Sequence, residues 1–371
     1  MKKIPLVCAL LTLLALPVWA QQENKIVLEL SPSSSNPRNS EGSFATLKSG
    51  RILFCFTQFY GGDADDAPAR IAEITSDDQG RTWSQPQVVV DNGHNQNVMS
   101  VTLLRLHSGK LALFYLINRN LWLDCHPYMK ISSDEGVTWS EPKEVFDAPG
   151  NFVLNNDRVI QTRSGRLIMP VAFHRSRTAQ DVEQAFDSRA LDLWYLSDDE
   201  GATWREAKSW WAIPVPSKSG LQEPGVVELA DGSLFSWART DQGCQYGFTS
   251  HDGGETWSPP VPTEMKSPVS PASIKRLPHS DSLLAVYNDH SGKFSYPQGK
   301  RTPLVAAVSS DNGKSWPIRK EIEGDPQGWY CYTAIHFVDH AVLLAYCAGY
   351  PGHHLDRLRI RRVDVAWLAA P

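Results

Sequence analysis

The sequence predicts an all-β fold, a six-bladed β-propeller of four-stranded antiparallel blades. Three observations lead there. The phrase Ser-x-Asp-x-Gly-x-Thr/Ser-Trp occurs five times, beginning at Ser76, Ser132, Ser197, Ser250 and Ser309. Around it runs a looser repeat of apolar strand, polar turn and apolar strand, which occurs six times. Helical periodicity is almost absent, residues 181–189 being the one short candidate. Self-similarity at near-constant spacing marks a repeat architecture, in which each unit buries its apolar face only against its neighbours. Six hairpins, most extended by a further strand and a boxed turn, give six blades.

Lys2 and Lys3 precede an apolar run over residues 4–16, and Val18-Trp19-Ala20 is a small-residue cleavage site. Residues 1–20 therefore read as a cleaved secretory signal peptide, and residues 21–371 as one domain. The expected location is secreted or periplasmic. The run is short for a bilayer span, no later segment is longer, and no membrane anchor is predicted. Residues 25–30, "KIVLEL", form a strand expected to pair with the C-terminal "RLRIRRVDVAWL" and so close the ring. The six hairpins are "FATLKSGRILFCF" from Phe44, "LLRLHSGKLALFY" from Leu103, "VIQTRSGRLIMPV" from Val159, "VVELADGSLFSWA" from Val226, "SIKRLPHSDSLLAVY" from Ser273 and "TAIHFVDHAVLLAYC" from Thr333. Each has β-rich flanks and a tight polar turn.

The boxed turns have a structural reading. Gly80 supplies the positive φ of a tight turn, Ser76 and Asp78 bond turn amides, and Trp83 packs between blades. A carboxylate repeated around a ring is not a single active site, so the chemistry lies elsewhere.

Composition removes several function classes. The net charge is −5 with no basic stripe, which excludes a nucleic-acid partner. Beyond the leader remain Cys55, Cys125, Cys244, Cys331 and Cys347, an odd number without close pairs, read as mostly buried thiols. No Cys-x-x-Cys or His-Glu-x-x-His occurs, so neither metal nor cofactor is implied. Nothing suggests an obligate oligomer, and a monomer is expected.

The boxes and hairpins together resemble the sialidase (neuraminidase) superfamily, over essentially the whole mature chain. The resemblance implies a tyrosine nucleophile paired with a glutamate, an aspartic acid as general acid/base, and three arginines gripping a substrate carboxylate. A neutral phenol, deprotonated locally, avoids the repulsion that an anionic nucleophile would meet beside that carboxylate. "LQEPGVVELADGSLFSWAR" resembles the family's Glu-then-Arg hairpin and implies Glu223 as base and Arg239 as a clamp arginine. "GKRTPLVAAVSSDNGKSW" implies Arg301, and "GWYCYTAIHF" implies Tyr332 as nucleophile with Tyr330 as its competitor. "GGDADDAPARIAEITSDDQGRTW" implies Asp65 as the acid, with Asp66 next. One position departs from the pattern. Where the family opens its first hairpin with an arginine, this chain has Ser40-Glu41-Gly42, with Arg38 slightly earlier. A carboxylate there accepts bonds from sugar hydroxyls and repels a sialate.

Other polar residues gather at the same ends of successive hairpins: Asn155, Asn156, Asp157 and Arg158; His174 and Arg175; Asn288, Asp289 and His290; Asp124 and His126. A ring of such side chains around one mouth makes a sugar pocket. The expectation is a secreted exo-glycosidase acting on a glycan terminus, retaining through a tyrosine-linked intermediate. The alternatives are a polysaccharide lyase, with Tyr or His removing a proton beside a uronate, and a glycan-binding propeller without catalysis.

Overall fold

A computed structural model describes residues 23–120, 122–178 and 181–370. The leader predicted at residues 1–20 lies outside them. Strands dominate, and the two helices are one-turn elements, Val182–Ala185 and Val365–Ala369. The first falls inside the predicted 181–189 segment. The second ends the C-terminal stretch expected to pair with residues 25–30, where Asp364 caps it by accepting a hydrogen bond from the amide of Ala366.

All six hairpins pair antiparallel, among them Phe44 with Phe54, Leu103 with Leu113, Ile160 with Ile168 and Val226 with Ser236, then Ile274 with Ala285 and Ile335 with Leu344. The N-terminal strand Asn24–Leu30 runs antiparallel to Leu358–Asp364, from Asn24 opposite Val363 to Leu30 opposite Leu358. The strands form five sheets rather than six. Four have four strands, and one has nine because Asn151 bridges to Cys125 in parallel, merging the second and third predicted units. Strands of neighbouring units touch along most of the chain. Arg38–Thr46 meets Asn97–Arg105 on one side and Trp329–Val338 on the other; Gln222–Glu228 meets Leu167–His174 and Ser273–Arg276; and Ser273–Arg276 meets Trp329–Val338.

The apolar core lies between neighbouring sheets. Phe44, Phe54 and Ile74 of the first sheet pack on Leu343, Ala345 and Ile360 of the last, with Trp83 against the same cluster. The boxed turn holds Trp83 there. Ser76 Oγ receives the Gly80 amide at 2.8 Å, and Asp78 receives the Thr82 amide at 2.8 Å and the Thr82 hydroxyl at 2.6 Å. Burial works against the Asp78 carboxylate, yet the Thr82 bonds outweigh it and hold its pKa at about 2. Gly80 has φ 82°, and a Cβ there would lie 2.7 Å from Leu343 Cδ1. The aspartates at 134, 199, 252 and 311 make the same threonine or serine contacts. Trp257 and Trp316 are buried by their boxes, so Trp257→Ala costs roughly 3–5 kcal/mol. The five cysteines are buried free thiols. Among the described residues no helix is long and apolar enough to cross a membrane, and no His/Cys/Asp/Glu group could hold a metal ion.

Candidate functional site

The boxes follow the outer strands at one end of the sheets. The opposite end is where polar side chains converge, and a local irregularity of the inner strands produces the convergence. Four inner strands break register at the same place, between Ser40 and Ser43, Met99 and Thr102, Gln222 and Gly225, and Cys331 and Ala334. The residue inside each break has a left-handed backbone: Glu41 at φ 50°, Ser100 at 59°, Glu223 at 50° and Tyr332 at 57°. None is glycine, so each conformation costs on the order of 1 kcal/mol or more and is held by the surrounding sheet. The bulges turn these four side chains out of the pleat and into one pocket, which Asp65, Asn118, Asn155, His174, Gln222 and Arg239 also line.

The Tyr332 hydroxyl donates to Glu223 Oε1 at 3.0 Å. Arg239 Nη1 holds the other Glu223 oxygen at 2.7 Å, while its Nε and Nη2 bond Gln222 Oε1 at 3.0 and 2.6 Å. Burial, then the Glu223 charge, pushes the Tyr332 phenol well above its ordinary pKa. The resting phenol is therefore neutral and hydrogen-bonded to Glu223. Arg301 lies with its guanidinium 5.5 Å from the Tyr332 ring centre and 5.6 Å from that of Trp329. Asn156 Nδ2 donates to the carbonyls of Gly42 at 2.8 Å and Tyr332 at 3.1 Å, locking the tyrosine bulge from behind.

Across the mouth, Asp65 is exposed on its loop and accepts from the buried Arg38 at 2.6 Å. Asn97 Nδ2 fixes the loop through the Asp65 carbonyl at 2.6 Å, and Asn118 in turn donates to Asn97 Oδ1. Glu41 is buried beneath, 3.5 Å from Arg38, and accepts from Ser100 Oγ at 2.5 Å. Burial pushes its carboxyl up to about 7; Arg38 pulls the other way without offsetting it. Asp65 takes the closer Arg38 contact. His174 is buried, which lowers its pKa, and its Nδ1 bonds the Asp187 carbonyl at 3.1 Å.

Several sequence candidates lie elsewhere. Tyr330 does not reach the mouth. It is buried with Val286, Leu304 and Tyr346, because the bulge after Cys331 breaks the alternation that would put it on the same face as Tyr332. Asp157 and Arg158 lie behind the pocket: Asp157 accepts from Ser43 Oγ, Lys275 Nζ and the Ile335 amide, and Arg158 donates to Ser273 Oγ and the Ala272 carbonyl. Asp289 is buried in an ion pair with Arg319 at 3.2 Å. His290 stacks on Tyr296 at 4.1 Å in a separate depression that Arg301 and Trp329 also border. Asp66 is exposed outside the pocket lining. Sequence reasoning missed Ser100, Asn118 and Gln222. Ser100 was findable: it precedes Leu106 by the interval that separates Glu41 from Leu47 and Glu223 from Leu229.

Residues 50–344 match the family described as BNR repeat-like domain. The chain is 24% identical to a sialidase of Micromonospora viridifaciens over 337 residues, which is 81% of this chain and 47% of that protein. It is 28% identical to a sialidase of Clostridium perfringens over 235 residues, 57% of this chain and 58% of that one. The chain thus spans about half the length of these curated relatives. The NanB sialidase of Streptococcus pneumoniae superposes with a TM-score of 0.72 at 16% identity, over 93% of this chain and 71% of that one. The intramolecular trans-sialidase of Ruminococcus gnavus gives 0.71 at 17% identity, over 93% and 98%. The chain belongs to the BNR repeat-like domain family and has the BNR-repeat fold of the sialidase superfamily.

Proposed function

We propose that the protein is an exported exo-glycosidase that releases a terminal sugar with retention, and that its scaffold is a six-bladed propeller. The single parallel bridge inside the nine-stranded sheet supports counting that sheet as two blades, and the contacts between inner strands of successive units support a ring. The observation that carries the reaction is the Tyr332–Glu223 hydrogen bond, with Arg239 on the second carboxylate oxygen.

Tyr332 Oη attacks the anomeric carbon as its proton passes to Glu223, and the glycosidic bond breaks while Asp65 in its acid form protonates the leaving oxygen. Water then attacks the tyrosyl glycoside, giving its proton to the Asp65 carboxylate as Glu223 returns the proton to Tyr332. Arg239 keeps Glu223 aimed at the phenol, and Arg301 lies against the ring that becomes anionic. The pocket favours a hydroxyl-rich sugar over a sialate. Glu41 stands among the lining groups, and the buried Asn155 Nδ2 and Asn118 Oδ1 lack protein partners, one a donor and one an acceptor for sugar hydroxyls. The test is a panel of sialosides, neutral glycosides and uronosides, with products followed by mass and by anomeric NMR. Retained configuration on a neutral glycoside is the expected result. An unsaturated product absorbing in the near ultraviolet identifies a lyase, and efficient sialoside turnover refutes the substrate assignment.

A further inference from the structure

Arg175, Arg177 and Arg189 converge on one carboxylate, Asp187, at 3.0, 2.8 and 2.9 Å. The Asp187 side chain is fully buried, whereas the three arginine side chains are 54%, 52% and 54% exposed. Their bonds, that of Arg189 foremost, hold the Asp187 carboxyl far below the usual range. One guanidinium neutralises one carboxylate. Three leave surplus positive charge, with N–H donors turned toward solvent. Asp181 caps the short helix by accepting from the Gln184 amide at 3.1 Å.

The cluster borders a cleft of its own, lined by Arg175, Arg189, Trp210, Ile213 and Val215. Trp210 is 54% exposed, the most exposed large aromatic among the described residues. A flat apolar ring beside guanidinium forks suits one ligand chemistry: the CH face of a sugar lies on the indole and its anionic oxygens meet the arginines. The cleft opens at the mouth end of the sheets. Arg175 directly follows the strand Leu167–His174, whose last residue lines the pocket. The Asp187 carbonyl accepts from that same His174, and Phe186 stacks on its ring at 4.7 Å.

We propose that this cleft is a distal subsite for an acidic sugar unit, bearing a carboxylate or a sulfate ester, of the glycan whose neutral terminal sugar enters the Tyr332 pocket. The two sites then divide the substrate by charge. The pocket pairs its carboxyl groups with Arg38 and Arg239, whereas the cleft sets three arginines on one carboxylate. The terminal-sugar part rests on the glycosidase reading, and the cleft's affinity for acidic sugars does not.

The full-length protein is titrated with a tri-uronic acid, a sulfated trisaccharide and a neutral trisaccharide, at low salt and at 0.5 M NaCl. Wild type is compared with Arg175→Ala/Arg189→Ala, which leaves Arg177 for Asp187, and with Trp210→Ala, which leaves the cluster intact. At least one acidic ligand binds more tightly than the neutral one, and which one identifies the anion. Binding weakens about tenfold in the double variant and in high salt, and severalfold in Trp210→Ala. Acidic ligands that bind no better than the neutral one, or equally to wild type and Trp210→Ala, overturn the proposal. A kinetic arm separates the two readings. With an acid-bearing glycan the double variant raises KM about tenfold at unchanged kcat, and a small neutral aryl glycoside is unaffected. Absence of turnover on any glycoside with binding intact defeats the glycosidase reading alone, and KM values unchanged by the double variant defeat the subsite.

Discussion

Glu41→Gln should flatten the dependence of stability on pH. Glu41 is buried at a strand bulge, its nearest hydrogen-bond donor is Ser100 Oγ at 2.5 Å, and the closer contact of Arg38 goes to Asp65. Burial therefore dominates, and the carboxyl is pushed up from 4.5 to about 7. The folded chain holds this proton more tightly than the unfolded chain does. The group's contribution is fully present below pH 4.5. It declines as the unfolded chain releases its proton, and it is lost once pH passes about 7. At 1.36 kcal/mol per pH unit, that interval is worth about 3 kcal/mol. Glutamine keeps the shape and the acceptor oxygen without titrating. Urea unfolding of both proteins from pH 4.5 to 8 isolates the effect as their difference, which should change by about 3 kcal/mol in favour of the variant as pH rises. Parallel profiles would show that Glu41 is ionised throughout and that Arg38 compensates its burial.

Three further substitutions probe the pocket and scaffold. Glu223→Gln removes the proton acceptor of Tyr332 and should lower kcat by roughly 10²–10⁴-fold without changing the fold; near-normal kcat would exclude Glu223 as the base. Asp65→Asn should lower turnover of alkyl glycosides by a similar factor while sparing aryl glycosides with acidic phenol leaving groups, which need no proton; equal losses on both would assign Asp65 to binding. Asp252→Ala deletes the acceptor of the Thr256 amide and hydroxyl in a box remote from the pocket, so it should lower stability by about 1–2 kcal/mol and leave kcat/KM unchanged. Lost activity at an unchanged melting temperature would place that box in the chemistry.

The scaffold was legible in the sequence because its parts are local. A box needs a serine, an aspartate and a glycine at fixed offsets, and those residues satisfy one another within a single turn, as Ser76, Asp78 and Gly80 do. Hairpins were legible through alternating strands flanking polar turns. The site was legible only in part because bulges build it. Glu223 and Tyr332 were placed by resemblance, whereas the break between Cys331 and Ala334 that separates Tyr330 from Tyr332 leaves no mark in residue type. Polar residues at strand ends were read as one ring, but Asp289 serves Arg319 and Arg158 serves the Ala272 carbonyl; a charged residue beside a mouth also stabilises the sheets around it. The merged nine-stranded sheet depends on one backbone bridge, which no side chain announces.

In the proposed reaction Tyr332 is the nucleophile. A fluorine beside the anomeric centre slows both steps of a retaining reaction, and a good leaving group restores the first, so the covalent intermediate accumulates. The protein is incubated with a series of such fluorosugar fluorides, digested, and analysed by mass spectrometry. One glycosyl unit on the peptide containing Tyr332, absent from Tyr332→Phe, is the predicted result. A glycosyl ester on Glu223, Asp65 or Glu41, or turnover with inverted configuration and no adduct, would contradict it.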